Sequence, residues 1–232
     1  MNAQVPRKGA TRAADIPVDV LDALSRGDLQ SATLAEGLAL DQARLLHTVF
    51  PDLSPQTLHA ADAACQLGIL KRMAGIGAAL LAELGVVGIA QCQAHTSDTV
   101  RGWACFMVGA QSELDLSARL AAIRPLADDT HFGVREWAWM AVRPHLAQEL
   151  NAAIDHLAAW TASPSERLRR FASEALPFQA RSNAITAQRH YGENTWRVAS
   201  TTQLGANAEK ILTALKPFIE KGWAFEESSL DA

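Results

Sequence analysis

The chain has 232 residues, 49% of them apolar and 20% charged, with a formal net charge of −4. The apolar share excludes a disordered chain, and three cysteines (Cys65, Cys92 and Cys105) are too few for a disulfide scaffold. The acidic balance counts against indiscriminate nucleic-acid binding.

The length suits one large domain or two small ones. With 44 alanines and a single Tyr, composition favours helix over sheet. Of the 21 basic residues 16 are Arg, the side chain suited to planar, bidentate phosphate contacts.

Residues 1–15 are polar, lack an apolar stretch, and read as a disordered tail. An odd cysteine count without a signal peptide implies a cytoplasmic protein. From Pro17 to Gly85 the pattern is helical, with segments expected at Val18–Leu24, Asp41–Phe50, Gln56–Leu67 and Ile69–Leu84. Pro51, Pro55 and Gly68 punctuate them. The most apolar run, Gly75–Cys92, is interrupted by Glu83, and Gly85 ends one helix before Val86 starts another. It reads as two buried core helices rather than a membrane span.

The middle of the chain repeats itself. Val100-Arg101-Gly102-Trp103-Ala104 recurs 34 residues later as Val134-Arg135-Glu136-Trp137-Ala138, and again as Leu168-Arg169-Arg170-Phe171-Ala172. The preceding helices keep register, Ile89 and Cys92 aligning with Ile123 and Leu126 and then with Leu157 and Trp160. Each unit is helix, polar turn, helix. Such a unit cannot bury its apolar stripe alone, so the expected fold is all-α, an α-solenoid of HEAT-like repeats over residues 16–176. The signature of tetratricopeptide repeats is absent. From 177 to 232 the register is lost, leaving a divergent segment with one amphipathic helix over Ala208–Lys221 and an acidic end.

Within the repeat, Val134, Trp137, Ala138 and Ala141 follow the i, i+3, i+4, i+7 spacing of one buried face. Trp103 and Phe171 occupy the place of Trp137, so these aromatics read as core first and ligand contacts second. Arg101, Arg135 and Arg169 share one position in all three units. They fit either inter-repeat ion pairs or phosphate recognition along one face. Three positions break the repeat. Glu136 stands where Gly102 and Arg170 do, Trp139 where Cys105 and Ser173 do, and Glu174 where Phe106 and Met140 do. Arg135, Trp139 and Arg143 fall on one side of a helix, with Glu136 beside them. That set suits a cationic base held against a phosphate backbone, but from spacing alone an exposed face laced with ion pairs such as Arg170–Glu174 is the leading reading.

No P-loop, dinucleotide Gly-rich turn, HExxH, CxxC or Gly-x-Ser-x-Gly is present, so neither cofactor nor metal is expected. Cys92-x-x-His95 is a pair without partners, and Cys105 falls on an apolar helix as an inert thiol.

Three stretches, Ser97–Trp103, His131–Trp139 and Ser163–Glu174, resemble the HEAT-like DNA alkylation-repair proteins of the AlkC/AlkD group, closer to AlkC. The likeness covers residues 85–176 well and 15–84 loosely, with Arg169-Arg170-Phe171-Ala172-Ser173-Glu174 its most specific piece. It implies a monomeric glycosylase excising N-alkylated, cationic bases such as 3-methyladenine from duplex DNA. On that implication Glu136, with Glu174, supplies the catalytic carboxylate. Trp139, Trp137 and Trp103 contact the lesion, and Arg101, Arg135, Arg143, Arg169 and Arg170 grip phosphates. The family pattern stops at Leu176, where a further repeat with another acidic residue and Trp belongs. The resemblance therefore also admits a degenerate relative, and a non-catalytic HEAT scaffold for protein or DNA is the alternative.

Overall fold

The computed structural model describes residues 7–175 in full and, beyond them, the backbone of three short strands. The regular secondary structure of residues 7–175 is all helical. Ten α-helices follow in chain order: α1 Val18–Arg26, α2 Leu34–Ala39, α3 Gln42–Val49, α4 Pro55–Cys65, α5 Ile69–Gln93, α6 Asp98–Ala110, α7 Leu116–Ala127, α8 Phe132–Gln148, α9 Leu150–Thr161 and α10 Glu166–Ala175. The strands β1 Gln188–His190, β2 Thr195–Ala199 and β3 Ala224–Ser228 form one sheet, β1–β2 antiparallel and β2–β3 parallel. These three strands stand outside the helical pattern, and Thr195, Trp196 and Val198 are residue types enriched in strands. The helix expected over 208–221 lies outside the described residues.

Local chemistry sets the helix ends. Thr33, Asp41 and Ser54 each accept the backbone N–H three residues on, capping α2, α3 and α4, and Pro55 takes the first helical position of α4. Gly27, with φ 84°, ends α1 in the left-handed conformation. Of the N-terminal helices only α2 escapes the sequence pattern. It has six residues, and its Leu34 and Leu38 face solvent, so it carries no apolar periodicity to detect.

The helix α5 is 25 residues long and apolar enough, by length and composition, to cross a membrane. Gly85 breaks it at φ 59°, ψ −158°, as the sequence indicates. Met73, Ile76, Leu80 and Cys92 are buried. Val86 and Val87, directly after the break, are 62% and 66% exposed, which corrects the expectation of two buried core helices for the second half of α5.

Among the described residues the chain packs as two compact units. The first comprises 7–114 and Ala121–Val142, the second Asp115–Leu120 and 143–175. The first unit is built on Leu24, Leu45, Leu46, Met73, Ile76, Leu80, Trp103, Met107 and Ile123, all at most 1% exposed. The second buries Leu146, Ile154, Leu157, Leu168 and Phe171, with Trp160 tilted over Phe171 at 5.1 Å between ring centroids.

The expected disordered tail is corrected from Arg7 onward. Both terminal nitrogens of Arg7 donate to the Glu36 carboxylate at 2.6 Å, and the N–H groups of Ala10 and Ala32 donate to it at 3.1 and 2.8 Å. Residues 7–10 are therefore strapped to α2, and Ala13–Asp15 forms a short 3-10 turn. Glu36 is wholly buried, a carboxylate tolerated there only because its oxygens are this well satisfied.

The Arg7 hydrogen bonds hold the Glu36 carboxyl below its ordinary value, outweighing the opposing effect of burial. A depressed folded value means the contribution is complete above the unfolded carboxyl pKa of about 4.3 and lost as pH falls through the folded value. Glu36→Gln is expected to lower unfolding free energy by about 1–2 kcal/mol at neutral pH. The deficit should shrink on acidification, as measured by urea denaturation at pH 7 and pH 3.

Candidate functional site

The three arginines in repeat register perform one task. Arg101 Nη1 donates to the carbonyls of His95 and Thr96 at 2.9 and 2.7 Å. Arg135 Nη1 does the same to Asp129 and Thr130, both at 2.9 Å, and Arg169 Nη1 to Ser163 and Pro164 at 2.7 and 3.0 Å. In every unit the guanidinium reaches back six and five residues to the turn before its own helix. Turn carbonyls without a helical partner need a donor, and a planar fork on the first turn of the next helix supplies it.

Arg101 is committed further. Its Nε and Nη2 also meet the Asp129 carboxylate, at 2.9 and 3.4 Å, and Nη2 donates to Gln30 Oε1 at 3.2 Å. The residue is 8% exposed. The expected phosphate contact is corrected for Arg101: its donors are spent inside the first unit. Arg135 and Arg169 are half-buried, and Arg169 also pairs with Glu166 at 3.6 Å.

Trp103 is corrected as well. It is fully buried in α6 and contacts no solvent, so it is core and not a lesion contact. Trp137 is half-buried and lies across α6, tilted against Phe106 at 5.9 Å between centroids. Its ring explains why this repeat slot in α6 is a glycine: a Cβ on Gly102 would lie 2.7 Å from Trp137 Cδ1. Cys105, three residues on, points its Sγ at the Val134 carbonyl, 3.7 Å away. Burial raises the Cys105 thiol well above its ordinary value and pushes Cys92 up to about 12, so neither is a nucleophile.

On α8 the structure joins two of the repeat-breaking residues. Trp139 Nε1 donates to Glu136 Oε2 at 2.9 Å, and both side chains are half-buried. The bond orients the carboxylate and sets an indole beside it. An anionic acceptor next to an aromatic ring suits a planar cation. Arg143 follows Trp139 by one turn of the same helix and is half-buried. In the second unit Glu174 meets Arg170 Nε at 3.7 Å, the i, i+4 ion pair foreseen on α10.

Sequence reasoning missed a buried polar cluster that fixes the starts of α6 and α8. Asp98 accepts Ser31 N–H at 2.8 Å and Ser31 Oγ–H at 2.7 Å. His131 Nδ1 accepts the Gly133 N–H at 3.1 Å, so its proton sits on Nε2, which donates to the Ser31 carbonyl at 2.6 Å. Asp129 receives the His131 N–H at 2.6 Å while pairing with Arg101. These partners lie 67 and 100 residues from Ser31, so spacing gives no signal for them. Among the described residues no group of three or more His, Cys, Asp or Glu is arranged to hold a metal.

Arg101→Met leaves Asp129 without its cationic partner, with the His131 N–H alone, and two carbonyls without their side-chain donor. It is expected to cost about 3–5 kcal/mol, the range for breaking one side of a buried pair. Arg135→Met, at a half-exposed site, should cost about 1–2 kcal/mol. Urea midpoints of the two variants check the order, and equal losses would contradict the burial argument. Compared with known protein families, curated proteins and solved structures, the chain has no match.

Proposed function

We propose that the chain is a HEAT-like helical-repeat protein of DNA alkylation repair, a glycosylase for N-alkylated, positively charged bases in duplex DNA. The observation that carries this reading is the Glu136–Trp139 pair, a carboxylate held by an indole N–H at 2.9 Å on a half-buried helix face. The recurrence of one arginine-to-turn contact in three successive units supports the helical-repeat assignment.

The chemistry asks little of the protein. An alkylated purine leaves with the electron pair of its glycosidic bond, which neutralises its ring. The sugar becomes oxocarbenium-like, and Glu136 stabilises that charge and accepts a proton from the water attacking C1′. Trp139, with Trp137 beside it in the sequence, offers the aromatic face to the cationic base. Arg135, Arg143, Arg169 and Arg170 supply phosphate contacts; Arg101 and Trp103 take no part. Glu174, paired with Arg170, is the second carboxylate of the proposal. On this reading the protein is cytoplasmic and acts as a monomer.

A second reading has its own observation. Arg101, Arg135 and Arg169 all donate to turn carbonyls, so the arginine register has a structural cause that needs no DNA. It favours a non-catalytic helical scaffold binding protein or DNA.

Release of methylated base from alkylated duplex DNA, followed by chromatography, separates the two. Wild type is expected to release base, and Glu136→Gln to be slower by about 10²–10³-fold, the usual loss of one charge-stabilising group. Trp139→Ala is expected to weaken lesion discrimination by about tenfold, within the range for one cation–aromatic contact. No release from folded wild type selects the scaffold reading.

A further inference from the structure

A cleft of about 410 Å³ opens in the first unit, far along the chain from the α8 pair, lined by Val49, Phe50, Pro51, Asp52, Leu53, Leu84, Gln91 and His95. Its walls have identifiable causes. Leu84 and Gln91 lie on either side of Gly85, so both halves of the broken α5 contribute to the lining. The facing α3–α4 loop is bolted to α5 by Ser54, whose N–H and Oγ donate to the Glu83 carboxylate at 2.7 and 2.8 Å.

His95 is held from three directions. Its Nδ1 accepts the Ser97 N–H at 3.0 Å, and its carbonyl accepts Arg101 Nη1 at 2.9 Å. Its ring packs so closely on the end of α1 that a Cβ at Gly27 would lie 2.9 Å from His95 Cε1. With Nδ1 filled as an acceptor, Nε2 carries the ring proton. Burial, reinforced by Arg101, lowers the tendency of His95 to take a second proton, so it remains a neutral donor.

The volume matches a small organic molecule, and five apolar residues beside one fixed polar group, His95, with the exposed Gln91 and Asp52 at the rim, suit such a site. From the fixed His95 tautomer, the Gln91 amide and the Asp52 carboxylate, we propose that this cleft binds a small, neutral, mainly apolar molecule carrying a carbonyl-type acceptor beside an N–H donor. The acceptor faces His95 and Gln91, and the donor faces Asp52. An anion is disfavoured by Asp52, and a simple hydrocarbon gains nothing from His95, Gln91 or Asp52.

The test uses benzamide as probe and toluene as its apolar counterpart, titrated into the full chain and followed by backbone amide NMR shifts. Saturable benzamide shifts confined to the amides of residues 49, 50, 52, 53, 84, 91 and 95 are expected, with toluene weaker by about tenfold, the order of one hydrogen bond. Leu84→Trp, which fills the cleft, should abolish the shifts, and His95→Phe should weaken benzamide by about threefold while leaving toluene unchanged. Shifts that do not saturate, that map elsewhere, or that are as strong for toluene overturn the proposal. If either variant fails to fold, the wild-type shift map and the benzamide–toluene comparison still decide it.

Discussion

Chain reversal between packed helices strands backbone carbonyls that neither helix can satisfy, and each such group left dry costs about 1–3 kcal/mol. In this protein the same answer is used three times: an arginine on the first turn of the following helix bends back and takes two carbonyls with one terminal nitrogen. The turn is thereby tied to the helix it introduces. Around the first of these arginines grows a network that runs from exposed Gln30 and half-buried Asp129 to buried Asp98, Ser31 and His131 and sets where α6 and α8 begin. The face that α8 presents depends on that anchoring.

The same constraint divides one repeat slot into different uses. In α6 the residue after the arginine is Gly102, because the Trp137 ring occupies the space a side chain needs. In α8 the equivalent residue is Glu136, half-buried and bonded to Trp139. In α10 it is Arg170, paired one turn on with Glu174. The arginine of each repeat is spent on the turn, the next position is set by what packs over it, and the candidate chemistry sits at that position in α8. The carboxylate of α8 and the thiol of α6 illustrate the contrast: Cys105 is sealed in the core, whereas Glu136 is within reach of solvent.

The N-terminal helices contribute through a different device. Glu36 gathers Arg7, Ala10 and Ala32 around one buried carboxylate, closing the start of the chain onto α2. The bond from Ser54 to Glu83 and the left-handed Gly85 then shape the cleft bordered by His95. His95 stands at the junction of both regions, since its carbonyl serves Arg101 and its ring borders the cleft.

Much of the helical organisation follows from sequence alone. Apolar periodicity placed nine of the ten helices, a 34-residue period aligned Arg101, Arg135 and Arg169, and Gly85 marked the break in α5. These are local properties: a helix face, a turn and a glycine are each determined by residues a few positions apart. Side-chain role was not local. A basic residue at a repeated place suits a phosphate or a carbonyl equally well, and only packing showed Arg101 buried against Asp129 and Gln30, 28 and 71 residues away. Trp103 and Trp137 carry the same sequence signature, yet one is sealed in the core and the other is half-buried over Gly102. Sequence determined which residues recur and where helices run; tertiary structure decided which of them are spent on folding, because burial and hydrogen-bond partners come from segments that spacing does not connect.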